Sequence, residues 1–185
     1  MVFPIVAYGD PVLKKRATEI DKNYPALNEL VENMYATMYE SNGVGLAAPQ
    51  VGLSIRLFIV DGKPFEEDDV KNFKQVFINP LILDESGNKW KFNEGCLSIP
   101  GIREDVERKE ELYIEYYDES WKYHKRKFKG ISARIIQHEY DHIEGVLFTD
   151  RISPLRRRLL KNKLTNISKG DVDVDYRMRF SAKNK

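Results

Sequence analysis

The chain is poor in the residues that disulfides and metal sites are built from. Its 185 residues include one cysteine and three histidines. A single cysteine excludes an intramolecular disulfide, and with it the stapled scaffolds of small secreted proteins. Long apolar runs are also missing. No stretch is long enough to span a bilayer, and the opening Met1-Val2-Phe3-Pro4-Ile5-Val6 lacks the basic start and apolar core of a signal peptide. These absences predict a cytoplasmic protein with no membrane partner. An excess of charge of one sign is absent too, since the formal net charge is +1. That balance hides an asymmetry: residues 1–150 carry 19 Lys/Arg against 26 Asp/Glu, whereas residues 151–185 carry 11 against 3. The length suits one domain with a real core. We expect a main domain over 1–150 and a basic helix and tail over 151–185, either continuous with that domain or appended to it.

Against this scarcity, two of the three histidines stand in His138-Glu139-Tyr140-Asp141-His142, an H-E-x-x-H motif within a segment that reads as helix. Residues four apart share a helix face, so His138 and His142 can present two imidazoles to one cation. Glu139 projects beside that face, within reach of a water on the metal. Catalytic metals need a third protein ligand and an open position. The familiar metalloprotease patterns place that ligand downstream. Here Phe148 stands where the longer motif has its third histidine, and Gly145 to Lys185 contains neither His nor Glu. Upstream, Cys96 offers a thiolate, a strong ligand for borderline divalent metals. A lone cysteine is more often a small buried apolar residue. Beside an H-E-x-x-H short of a ligand, Cys96 becomes the best third donor. The glycine-rich segment from Gly43 to Gly52 reads by itself as a loop between helix and strand. Its polar exception is Gln50, whose amide can donate to a developing oxyanion.

GVGLAAPQVG (43–52), EGCLS (94–98) and QHEYDH (137–142), in that order, resemble the three signature motifs of the peptide deformylases. The resemblance spans roughly residues 1–150, which makes that stretch a catalytic domain. It implies removal of the N-formyl group from the initiator formylmethionine of new polypeptides, with release of formate. It implies that Cys96, His138 and His142 bind one divalent metal, that Glu139 is the general acid and base, and that Gln50 and the Leu97 backbone N–H hold the oxyanion. The family's metal is Fe(II), with Zn, Ni or Co as replacements. An extended N-formylmethionyl substrate is expected to pair with backbone near Val44 and Gly45 on one side and Gly95 on the other. Val44, Phe92 and Ile131 are candidates by position for an apolar methionine pocket.

Arg134 lies four residues before His138 on the metal-facing side of the helix. Two readings stay open for it: substrate contact, or a side chain reaching past the end of the face to water. Two other functions also fit parts of the pattern. A neutral metallopeptidase of the H-E-x-x-H type lacks its downstream ligand here. A non-catalytic ribosome- or RNA-binding protein with a structural metal leaves Glu139 and Gln50 without a purpose.

Periodicity predicts a helix from Pro25 to about Ser41, with Leu27, Leu30, Val31, Met34 and Met38 on one face. Strands are predicted over residues 56–61, 74–85, 90–93, 106–117 and 121–128, and the H-E-x-x-H helix runs from Gly130 to about Glu144, closed by Gly145. Residues 65–72, with their run of acids, read as a solvated loop. His124 reads as an exposed strand residue. The fold class is α+β, with mixed or antiparallel sheets packed around a central helix carrying the motif. A C-terminal helix from Leu155 to about Asn166 should pack Leu155, Leu159, Leu160 and Leu164 on the domain. Its arginines and lysines would remain in solvent, and in some deformylases such a helix docks near the ribosomal exit tunnel. No DNA partner is expected. Residues 169–185 should be poorly ordered unless Tyr176, Met178 and Phe180 dock.

Overall fold

The computed structural model describes residues 1–66 and 68–181, with the side chains at 68 and 69 excepted. In chain order the elements are β1 (Ile5–Val6), α1 (Leu27–Glu40), β2 (Gly45–Ala47), β3 (Leu57–Asp61), α2 (Asp68–Lys71), β4 (Lys74–Cys96), β5 (Ile99–Tyr117), β6 (Tyr123–Lys129), α3 (Gly130–Ile143), α4 (Pro154–Lys169) and β7 (Met178–Arg179). Strands β2 to β6 form one antiparallel sheet in sequence order, and β1 pairs with β7 in parallel. The fold is α+β, as the motif pattern predicts.

Helix α3 carries the H-E-x-x-H motif and is buried along most of its length, including Ala133, Ile135, Ile136, Glu139, His142 and Ile143. Gly145 ends it in the left-handed region (φ +74°), and a Cβ there would lie 2.6 Å from the Lys14 carbonyl oxygen, so only glycine fits. Beneath it, Phe58, Phe77, Tyr116 and Phe128 form one core with Ala133 and Ile136. On the other side, the apolar face of α1 packs Leu30, Met34 and Met38 against Leu57 and Ile59.

Two of the expected strands are one. Residues 74–85 and 90–93 belong to the single strand β4, because register shifts, among them one between Ser86 and Lys89, absorb irregular residues without ending the pairing with β5. The pair closes at a two-residue turn, Leu97-Ser98, between Cys96 and its partner Ile99. β5 also starts earlier than its β-branched and aromatic content suggests, and its alternation turns Glu104, Val106 and Arg108 inward. Of the acidic run, Glu67 lies outside the described residues, and Asp68 and Asp69 fall in the short helix α2, not in a loop.

The C-terminal helix departs from expectation in its face. Leu160, Leu164 and Ile167 are buried in a core shared with Ile99, Val106 and Phe148, whereas Leu155 and Leu159 are 67% and 64% exposed. At 100° per residue Leu159 stands about 100° and Leu155 about 140° round the helix from Leu160, so both fall outside the buried stripe. The segment beyond α4 docks as far as it is described. Met178 pairs with Ile5, Phe180 packs against the third core, and residues 182–185 lie outside the described set.

Candidate metal and catalytic site

Helix α3 and the tip of the β4–β5 hairpin meet at one point. Cys96 Sγ lies 3.3 Å from His142 Nε2, and the ligand atoms of Cys96, His138 and His142 all fall within 4.8 Å of one another. The i, i+4 spacing places the histidines with ring centroids 5.1 Å apart. The third donor therefore comes from upstream, on a different element. His138 Nδ1 sits 2.9 Å from Glu94 Oε2, which leaves its Nε2 for the cluster. A thiol and two imidazoles converging this closely suit a divalent ion of the zinc or iron type.

The two imidazoles of the cluster are shifted in opposite directions. Burial alone would disfavour a charged His138, but hydrogen bonds to Cys96 and Glu94 and the charges of Glu139 and Cys96 outweigh it, holding its pKa well above the ordinary value. Burial, then the charges of His138 and Arg108, push His142 well below its ordinary value. The cluster thus favours positive charge at one centre and rejects it at a second.

Glu139 is buried beside the cluster, and its Oε2 has no hydrogen-bond partner among the described residues. Burial raises its pKa from 4.5 to about 7. The backbone of β2 presses on this carboxylate: a Cβ at Gly45 would lie 2.4 Å from Glu139 Oε1. Gln50 completes the centre. Its Oε1 accepts from the Ala47 N–H at 2.9 Å, which fixes the amide with Nε2 turned to Cys96 Sγ (3.5 Å) and Ser98 Oγ (3.4 Å).

A cavity of about 560 Å³ opens over these atoms. Val44, Gly45, Gln50, Phe92, Gly95, Leu97, Arg134, His138 and Glu139 all line it. Ile131 does not; it packs in the core under the sheet, and Ile135, one turn along α3, faces the cavity instead. Arg134 does not reach past the helix to water. It is 2% exposed, donates to Glu94 Oε1 (2.9 Å), Val106 O (3.0 Å) and Trp90 O (2.7 Å), and lies 4.5 Å over the Trp90 ring. His124 is half-buried, not exposed, and bonds Asp118 at 2.7 Å.

Sequence reasoning missed the network that supports the histidines. Glu94 accepts from Arg108 Nε (2.7 Å), Arg108 Nη2 (3.0 Å) and Arg134, and it bonds His138. Arg108 also donates to Asp141 Oδ2 at 2.7 Å, and Asp141 in turn binds Arg151. Despite its burial, Glu94 is held ionised, far below the usual carboxylate range, by Arg108 and His138. Three of these residues carry a signal in the sequence: Glu94 opens the second motif, Asp141 lies inside the third, and strand parity places Arg108 on the face of Val106.

Residues 2–158 match the family model described as polypeptide deformylase. A peptide deformylase of Christiangramia forsetii is 56% identical over 97% of this chain and 96% of its own length, and one of Cytophaga hutchinsonii is 54% identical over 99% and 100%. Among solved structures, a peptide deformylase from Legionella pneumophila superposes with a TM-score of 0.81 at 34% identity, covering 92% of this chain and 98% of that one. One from Thermotoga maritima gives 0.76 at 41% identity, with 83% and 99% covered.

Proposed function

The chain belongs to the peptide deformylase family and is a hydrolase that removes the N-formyl group from nascent peptides; we propose that Cys96, His138 and His142 hold its divalent ion while Glu139 moves the protons. The observation carrying this assignment is the convergence of one sulfur and two ring nitrogens beside a buried carboxylate oxygen that has no hydrogen-bond partner among the described residues. When bound, the ion supplies Lewis acidity that makes water a nucleophile near neutral pH.

The chain's own groups do the remainder. Glu139, its pKa raised to about 7 by burial, is suited to take a proton from the attacking water and return it to the departing amide nitrogen. Gln50 Nε2, oriented by the Ala47 N–H, and the Leu97 backbone N–H stabilise the charge that develops on the formyl oxygen. β2 is the outermost strand of its sheet, so its free edge at Gly45, next to Val44, suits an extended peptide that meets Gly95 on the opposite side. Val44, Phe92 and Ile135, with the Arg134 guanidinium behind Phe92, make the methionine pocket.

Fe(II) is the proposed native ion, with Zn, Ni or Co as substitutes. The protein is proposed to act in the cytoplasm with no DNA or membrane partner; among the described residues no helix is long and apolar enough to cross a membrane. Residues 1–150 and 151–185 are proposed to be one unit, since α4 completes the third core. The outer face of α4 is proposed to meet the ribosome near the exit tunnel. Reversing Arg158, Lys161 and Lys163 to Glu should weaken pelleting with ribosomes in low salt, and unchanged pelleting would remove that role. For the main assignment, anaerobically purified protein should contain one ion per chain and release formate from formyl-Met-Ala-Ser. Cys96→Ser should lose most of the bound metal; full metal content with wild-type turnover would refute the ligand set.

A further inference from the structure

The cavity has a wall that the three motifs do not supply. Asp173, Val174, Asp175 and Tyr176, from the segment beyond α4, line it beside the tip of the hairpin. These residues also lie beyond the stretch matched by the family model, which ends at 158.

The segment is tied down on both sides of that wall. β7 pairs with β1, and the N–H groups of Ile5 and Ala7 donate to the carbonyls of Arg177 (2.8 Å) and Arg179 (2.9 Å). The two termini together grip the hairpin turn that carries Cys96 and Leu97. Tyr176 Oη donates to the Leu97 carbonyl at 2.8 Å, and the Tyr8 N–H donates to the Ser98 carbonyl at 2.8 Å. Both carbonyls of the turn are thus fixed from outside the hairpin. The same segment braces the Gln50 turn. Gly52, whose φ of +90° ends that turn, has the Arg179 guanidinium against it, with Nη2 2.7 Å from where a Cβ would sit. Met178 packs into the core beside Ala48 and Val51.

We infer that residues 173–179 are a working part of the active site: a strap that walls the substrate cleft and holds both oxyanion-binding turns, with Tyr176 as the positioning residue for Leu97. A hydroxyl on the Leu97 carbonyl fixes the Leu97–Ser98 peptide plane, and so restrains the Leu97 backbone dihedrals that relate this plane to the preceding one, which carries the Leu97 N–H. Asp173 and Asp175, both exposed, place carboxylates along the path of substrate residues that follow methionine. Arg103, bonded to Asn93, lines the same cavity. The inference rests on the deformylase reading, and formate release by the wild-type protein in the same assay tests that reading separately.

Tyr176→Phe keeps the ring and removes only the hydroxyl. With one such hydrogen bond lost, kcat should fall about three- to tenfold while KM and metal content stay at wild-type values. An unchanged kcat would overturn the positioning role. The wall is tested by substrate charge in the full-length enzyme. In the D173N/D175N variant, the ratio of kcat/KM for formyl-Met-Lys to that for formyl-Met-Glu should drop about two- to fivefold in low salt, as expected for exposed ion pairs. A ratio equal to that of the wild type would show that the strap does not face the substrate.

Discussion

Two regions of this protein are crowded with charge, and they obey opposite rules. Around Glu94 the side chains are sealed from water: Arg108 and Glu94 each keep 3% of their side-chain exposure, Arg134 keeps 2%, and Asp141 keeps 6%. Along the outer face of α4, Arg158, Lys161 and Lys163 stand in solvent. In the first region each charge is desolvated and survives only because its partners are in place. In the second, water screens each charge and no single partner decides anything. Similar residues are therefore rigid scaffolding in one place and an interchangeable surface in the other. The hydrogen bond from Glu94 to His138 links the scaffold to the metal centre, so its rigidity becomes precision at the ligands.

The largest effects should come from the groups the scaffold serves. Glu139→Gln keeps the shape and removes the proton carrier, so kcat should fall about 10²- to 10⁴-fold with metal content retained; elemental analysis beside formate-release kinetics checks both. Gln50→Ala should cost about 10²- to 10³-fold in kcat, as measured for single oxyanion donors.

Breaking the scaffold itself should appear first as instability. Glu94→Ala leaves Arg108 and Arg134 buried without their shared carboxylate, and should cost about 3–5 kcal/mol at neutral pH by denaturant unfolding. The pH dependence of that cost has a definite sign. The folded-state pKa of Glu94 is depressed below 4.5, so its stabilisation is complete above 4.5 and is lost as pH falls through the more acidic folded value. The gap between wild type and variant should narrow on acidification below about pH 4.5, and a gap that widens would reject the ionised hub. At the other extreme, Arg158→Ala on α4 should change stability by less than about 0.5 kcal/mol. A larger loss would erase the contrast between the regions.

Much of the layout was legible in the sequence where a period or a motif specified it. The 3.6-residue repeat from Leu27 to Met38 gives α1, and Gly145 marks the end of α3. Cys96 was reached by elimination, from the want of any other third donor. What was not legible depends on tertiary contacts. Nothing local in Ser86 to Lys89 says that the chain continues as one strand through a register shift. Arg134 reads equally as a substrate contact or as a side chain reaching water until Glu94, Trp90 and Val106 are brought to it from β4 and β5. Ile135, not Ile131, lines the cavity; the two stand four apart on one helix face, so periodicity alone does not say which turn reaches it. Tyr176 offers no motif at all. Its place follows from the pairing of the two chain ends, which no local pattern encodes.

The central claim concerns a sulfur from the hairpin and two nitrogens from α3 meeting on one ion. X-ray absorption at the zinc edge of stoichiometrically loaded protein measures that set directly. The account predicts one sulfur scatterer at about 2.3 Å and two imidazole nitrogens at about 2.0–2.1 Å, with the remaining position filled by a light atom. A spectrum fitted by nitrogen and oxygen alone, with no sulfur shell, would contradict it.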